Sequence, residues 1–342
     1  MTNLLNSLFQ KKPKKTLVEI NTEYTIEGHT TDEVFEINWT LGNVCNYSCS
    51  YCPNFKHDAS MIVKLGDPER SRISWLLNSI KEQTGINFFL FNFSGGEPTR
   101  VPGFTEFCSW LKSSHSARIL VNTNASRPMS FWRENWSNFD RISMSFHAEF
   151  ADVDSFLEKY VFLSDRLHAH VALMMHPIKW NKCIELANRL KKLEVFSFSY
   201  GAIFEGWPNQ SMEIDRRYTD EQLDFLRKNK GTISSERRMP VENFSRRFIT
   251  KWNDGEVTDN LSKQDLINKS QNNFKGWTCW VGLRHLSIDE RGDIFTAQCH
   301  WRQPLGNIIS GEIKLPQKPI VCGAERCHCH PYIGIKKTRQ AV

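Results

Sequence analysis

Cys45, Cys49 and Cys52 sit in one eight-residue run, Cys-Asn-Tyr-Ser-Cys-Ser-Tyr-Cys. Three thiols at C-x3-C-x2-C spacing can wrap one face of a metal centre. Tetrahedral structural zinc takes four protein ligands and needs one more from elsewhere. A 4Fe-4S cluster held by only three leaves one iron with an open position. The spacing alone leaves both readings open. A second group is Phe93-Ser94-Gly95-Gly96-Glu97-Pro98-Thr99. Its two glycines remove Cβ atoms where a ligand must approach the backbone, and Glu97 can accept a hydrogen bond from an ammonium group. Taken alone, the same residues also make an ordinary strand-to-helix turn. Five more of the ten cysteines, Cys279, Cys299, Cys322, Cys327 and Cys329, lie near the C-terminus. Cys108 and Cys183 stand apart and read as small buried hydrophobes on helices.

The chain between these groups alternates in hydrophobic period. Segments 34–41, 87–94, 117–122, 141–146, 170–175 and 195–200 are rich in Phe, Ile and Val or alternate in polarity, which predicts six strands. Segments 71–82, 103–113, 152–167 and 181–193 carry apolar residues at spacings of three and four, which predicts helices. Strands separated by helices need parallel crossovers, so the fold class is α/β, either a barrel or a doubly wound sheet. In both, ligands gather at the carboxyl ends of the strands. The cysteine run follows the first predicted strand and the Gly-Gly-Glu-Pro group follows the second.

In type, order, spacing and placement, these two motifs resemble the radical S-adenosylmethionine (SAM) superfamily. The resemblance implies a partial (β/α)6 TIM-like barrel, in agreement with the six predicted strands. It implies that Cys45, Cys49 and Cys52 hold a 4Fe-4S cluster whose fourth iron is chelated by the amino and carboxylate groups of SAM. Ser94, Gly95, Gly96, Glu97 and Pro98 would line the methionine end of SAM, with Glu97 near its amino group and Tyr51 against the adenine. Asn122 and Asn124 end the third strand, and Ser143 and Ser145 lie on the fourth. These are where the family commonly contacts ribose and carboxylate; for the two serines, satisfied core hydroxyls are the alternative. His147 and His176 fall near strand ends, where they either meet substrate or are ordinary hydrogen-bonded histidines. The implied activity is reductive cleavage of SAM to a 5′-deoxyadenosyl radical that abstracts hydrogen from a substrate. An external electron donor such as flavodoxin or ferredoxin would supply the electron.

Between Cys279 and Cys299 two alternating segments flank the turn Asp289 to Gly292, a hairpin signal. Its midpoint at Asp289 would bring the two cysteines together at the open end, with Cys322, Cys327 and Cys329 competing for the remaining positions. The arrangement resembles the auxiliary-cluster extensions called twitch and SPASM domains. Five cysteines, against the seven of a full SPASM pattern, favour the twitch type with one auxiliary 4Fe-4S cluster. Its expected ligands are Cys279, Cys299, Cys322 and Cys327, with Cys329 in reserve, and zinc is the alternative. The expected organisation is an N-terminal extension over 1–32, the barrel over 33–204, a basic connecting region over 205–277 and a small β-hairpin iron-sulfur domain over 278–342.

The 342-residue chain, 40% hydrophobic and 24% charged, has the composition of a globular protein rather than a disordered one. Its longest apolar stretches, 87–93 and 171–175, are far short of the about 18 residues that span a bilayer, so no membrane partner is expected. The terminus MTNLLNSLFQKKPKK places apolar residues before basic ones, the reverse of a secretory signal, and a cytoplasmic location is expected. From Leu226 to Trp252 eight basic residues face Glu236 and Glu242, a local net charge of +6 equal to that of the whole chain. A solvated helix face accounts for this, and a phosphate-binding patch is the alternative. The function that the resemblance implies is that of a radical SAM oxidoreductase or transferase acting on a peptide or small metabolite. The alternative is a non-enzymatic zinc or iron-sulfur protein that binds nucleic acid through 226–252.

Overall fold

The computed structural model describes residues 24–28, 34–52, 57–61, 63–205, 213–229, 231–235, 248–252, 257–261, 272–297, 304–324, 327, 330–333 and 335–339. The strands are β1 (Tyr24–Gly28), β2 (Val34–Thr40), β3 (Phe88–Ser94), β4 (Ala117–Thr123), β5 (Arg141–His147), β6 (His168–Met174) and β7 (Ser197–Gly201). Helices α1 (Asp67–Thr84), α2 (Phe104–Ser114), α3 (Met129–Asn135), α4 (Val153–Ser164), α5 (Trp180–Leu190) and α6 (Asp220–Lys228) complete the main body. Strands β2 through β7 pair in sequence order, all parallel, and form an unclosed sheet. These six parallel strands of an open barrel are those predicted from the sequence, displaced by no more than two residues at either end.

Alternation of burial along β3, β4, β5 and β6 divides the sheet into two faces. On β3, Phe89, Phe91 and Phe93 are buried while Phe88, Leu90, Asn92 and Ser94 are half-buried. Helix α2 covers the buried face: Phe107 packs edge-on against Trp39 at 5.8 Å and against Phe93 at 6.4 Å between ring centroids. The opposite, concave face is polar. Across it Asn122 Nδ2 donates to Asn92 Oδ1 (2.8 Å), Asn92 Nδ2 donates to Asn38 Oδ1 (2.7 Å), and Asn38 hydrogen-bonds His285. A hydrogen-bonded ladder thus crosses four strands.

The C-terminal segment does not stand apart from the barrel. His285–Ile288 runs parallel to β2, with His285 opposite Glu36 and Ile288 opposite Trp39, and continues the sheet past its first barrel strand. It turns at Asp289–Gly292 into Asp293–Phe295, as the hairpin signal predicts. The ladder pairs Ser287 with Phe295, so it is centred on Arg291 rather than Asp289. Cys279 leaves the hairpin altogether: it belongs to Thr278–Cys279 in a second sheet, between Ile320–Val321 and Lys337–Thr338. That sheet also takes in β1, paired with Phe248–Trp252, so strands from both ends of the chain meet there. Residues 230 and 236–247 of the basic stretch 226–252 lie outside the described residues, as do Cys299 and Cys329. No helix among the described residues is long and apolar enough to cross a membrane.

The aromatic layer under α2 carries much of the core. Phe107 is fully buried against Trp39, Phe93 and Trp110. Phe107→Ala is expected to cost about 3–5 kcal/mol, the usual loss for a core phenylalanine. Urea denaturation should show it as a lowered midpoint with little change in slope.

Candidate active site

The cysteine loop leaves β2 at its carboxyl end and is held there by the loop that leaves β3. Leu41 N donates to Ser94 O (2.7 Å), Gly96 N to Gly42 O (3.3 Å) and Glu97 N to Val44 O (2.6 Å). The two glycines make this contact possible. A Cβ on Gly96 would stand 2.3 Å from the Val44 carbonyl oxygen, and Gly95 has φ +136° with Gly42 O 2.7 Å from its would-be Cβ. The sequence reading assigned the missing Cβ atoms to the approach of a ligand. The close approach visible here is to the backbone that leads into Cys45.

Glu97 is buried, 1% exposed, and its carboxylate joins the ends of β3 and β4. Oε1 accepts from Thr99 N (3.2 Å), Thr99 Oγ1 (2.5 Å) and Thr123 Oγ1 (2.7 Å), and Oε2 accepts from Asn124 N (2.5 Å). Burial raises its pKa above the ordinary carboxylate range, and these four donors oppose the shift. Asn124 Nδ2 in turn reaches Asn46 Oδ1 (3.2 Å) and the Cys45 sulfur (3.8 Å), while Ser126 Oγ donates to Asn46 Oδ1 (2.9 Å). Of the expected residues, Ser94, Gly95, Gly96, Glu97 and Asn124 therefore meet the cysteine loop or the segment leading into it, whereas Asn122 bonds Asn92 and the Phe93 carbonyl.

Cys49 is buried, and Cys45 and Cys52 are half-buried. Burial pushes the Cys49 thiol up to about 12 and raises Cys45 as well. Within the loop Cys52 N donates to Cys49 O (2.9 Å) and Tyr47 N approaches the Cys45 sulfur (3.4 Å). No three His, Cys, Asp or Glu side chains among the described residues are gathered closely enough to share one metal ion. Three thiols on one loop at strand carboxyl ends are nevertheless the donor set that an iron-sulfur cluster takes, each on its own iron.

On the far side of the loop, Tyr51 shares a 2.6 Å hydrogen bond between its hydroxyl and His147 Nδ1. Burial raises the Tyr51 pKa and holds His147 down to about 4, so both are neutral. His176 Nδ1 accepts from the amides of Ile178 and Lys179 (both 3.2 Å), which leaves its proton on Nε2. Nε2 faces Ser50 Oγ and Glu149 Oε1, each at 3.5 Å, and Glu149 Oε2 accepts from Ser50 N (2.9 Å). Glu149, Ser50 and Asn46 were missed by the sequence reading. For Glu149 a signal existed: it lies two residues past the end of β5, where loops of this fold class meet. Ser143 and Ser145 lie half-buried on the concave face, with Ser143 opposite Asn122.

A second group of thiols lies in the C-terminal region. Cys279, Cys322 and Cys327, each less than 9% exposed, line one small cavity with Val281, Thr296, Tyr332 and Lys337. Cys322 N donates to Trp277 O (2.7 Å) and Cys327 N to Asn272 O (2.8 Å), so both segments are fixed by backbone pairing.

No protein-family model and no curated protein matches the chain. Among solved structures, anSMEcpe with bound AdoMet is similar over 81% of this chain and 78% of its own, with 15% identity and a TM-score of 0.48. Streptococcus suis SuiB bound to precursor peptide SuiA is similar over 81% and 63%, with 13% identity and a TM-score of 0.48. BtrN in complex with AdoMet and 2-DOIA is similar over 80% and 78%, with 13% identity and a TM-score of 0.36.

Gly96→Ala places a methyl group on the Val44 carbonyl, and the cysteine loop must move away. The expected result is a stability loss of about 1–3 kcal/mol, typical of overpacking. A denaturation curve set beside that of the parent chain measures it.

Proposed function

We propose that this chain is a radical SAM enzyme acting on a peptide or small polar molecule. The observation that carries the reading is the docking of the three-cysteine loop onto Gly95–Glu97 at the carboxyl ends of parallel strands. In this reading Cys45, Cys49 and Cys52 hold a 4Fe-4S cluster. Tyr51, Ser94, Gly95, Gly96, Glu97, Pro98, Asn122, Asn124, Ser143 and Ser145 line the place of SAM. When bound, this pair supplies one-electron cleavage of the SAM sulfonium to methionine and a 5′-deoxyadenosyl radical.

The chain's own residues supply position and shelter. Glu97 Oε2 has one protein donor, and a carboxylate oxygen has room for a second. It can therefore orient an ammonium group while Oε1 anchors the loop. Tyr51 and His147, held neutral, wall the site with groups that neither donate nor withdraw a full charge. Glu149 and His176 brace the segment between Cys49 and Cys52. The hydrogen-bonding side chains of the concave face suit a polar substrate, and a small external electron carrier would serve the cluster.

Cys279, Cys322 and Cys327 would hold an auxiliary iron-sulfur centre, with the fourth ligand from Cys299 or Cys329. Its supports are their common cavity and their burial.

Replacing Cys45, Cys49 and Cys52 together by alanine should abolish reductive cleavage of SAM while the C-terminal iron stays in place. The assay is 5′-deoxyadenosine formation with dithionite, beside iron and sulfide analysis. Continued formation of 5′-deoxyadenosine would remove the loop from the reaction.

A further inference from the structure

Lys337 is 1% exposed, yet among the described residues no carboxylate stands within ion-pair distance of its ammonium group. Its Nζ donates to three neutral carbonyls, Tyr332 O (2.7 Å), Ile335 O (2.9 Å) and Ile333 O (3.2 Å). It also lies 4.9 Å from the centroid of the Phe274 ring. These contacts satisfy its hydrogen-bonding capacity but supply no negative charge. A buried cation without a counter-charge is costly, and proteins pair such groups.

The neighbouring cavity shows where the counter-charge belongs. Lys337 lines it together with Cys279, Cys322 and Cys327, and it is the only ionised side chain among the described lining residues. Cys279 is its direct cross-strand partner, so the two side chains project to the same face of the sheet. Thiolates bound to a metal centre are anionic, whereas three thiols would leave the cation unbalanced.

We propose that Lys337 is the fixed counter-charge of the auxiliary iron-sulfur centre and holds its reduction potential up. This rests on the auxiliary centre proposed above. A cation beside a centre favours the added electron, so its removal makes reduction harder. Lys337 touches no substrate: it is a positioning charge, read out by a potential.

The test uses the full chain carrying C45A, C49A and C52A, so that bound iron reports on the C-terminal site alone. After anaerobic reconstitution with iron and sulfide, dithionite reduction under redox mediators is followed by electron paramagnetic resonance. K337Q keeps amide donors for the carbonyls and loses the charge; K337R keeps the charge. K337Q should retain iron but reach half-reduction at lower potential, with the reduced-to-oxidised ratio at fixed potential falling about tenfold, equivalent to about 59 mV for one electron. K337R should stay near the parent. An unshifted potential in iron-loaded K337Q overturns the role of Lys337 and leaves the auxiliary centre standing. If K337Q loads no iron, recovery of iron in K337R supports the charge, and failure of both variants with unchanged thermal unfolding overturns it. Absence of any iron-sulfur signal in the parent chain overturns the auxiliary centre and the role of Lys337 together.

Discussion

The contact between 41–44 and 94–97 is the constraint on which the rest of the site depends. Two loops leaving adjacent parallel strands are pressed together so closely that only glycine fits at position 96. Three backbone hydrogen bonds fix them as one unit, and the Glu97 carboxylate ties that unit to the end of β4. A carboxylate that accepts four donors inside the protein is worth more than its share of hydrogen bonds. Its donors come from Thr99, two residues on, and from Thr123 and Asn124 at the end of β4, and leaving any of them buried and unpaired would cost about 1–3 kcal/mol. The segment leading into Cys45 is therefore held by the ends of β2, β3 and β4 together.

The barrel was legible because its signals are local and repeated. Phe89, Phe91 and Phe93 alternate with residues of lower burial, and α2 repeats Phe104, Phe107, Cys108 and Leu111 on one face. Pairing order follows from chain order when every crossover is a helix. Elements whose partners are distant in sequence were not legible. Strand β1 finds Phe248–Trp252, and His285–Ile288 finds β2, through pairings that no local pattern announces. Helix α3 is short and carries no periodic signal longer than two turns.

The site divides the same way. Cys45, Cys49, Cys52 and Gly95–Glu97 were visible because residue type and spacing carry their chemistry. Glu149 and Ser50 were not, since nothing in the sequence says that residues 99 positions apart will share a hydrogen bond. The hairpin was predicted with the right turn but the wrong centre, because Trp280 through Arg284 leave the ladder to join a turn. That departure moves Cys279 into the second sheet and gives it Lys337 as a neighbour.

The parallel pairing of His285–Ile288 with β2 also bears on how the molecule can be divided. An open barrel ends in two edge strands, and an uncovered edge is a template for pairing with another chain. Here β2, the strand that feeds the cysteine loop, is shielded on that side by a strand nearly 250 residues later. A fragment cut before this strand would keep β2 through β7 but leave the backbone N–H and C=O groups on that side of β2 without the partners they have in the full chain. The C-terminal segment is therefore part of the barrel's own hydrogen bonding, and the strand that feeds the cysteine loop is completed only when the last quarter of the chain has been made.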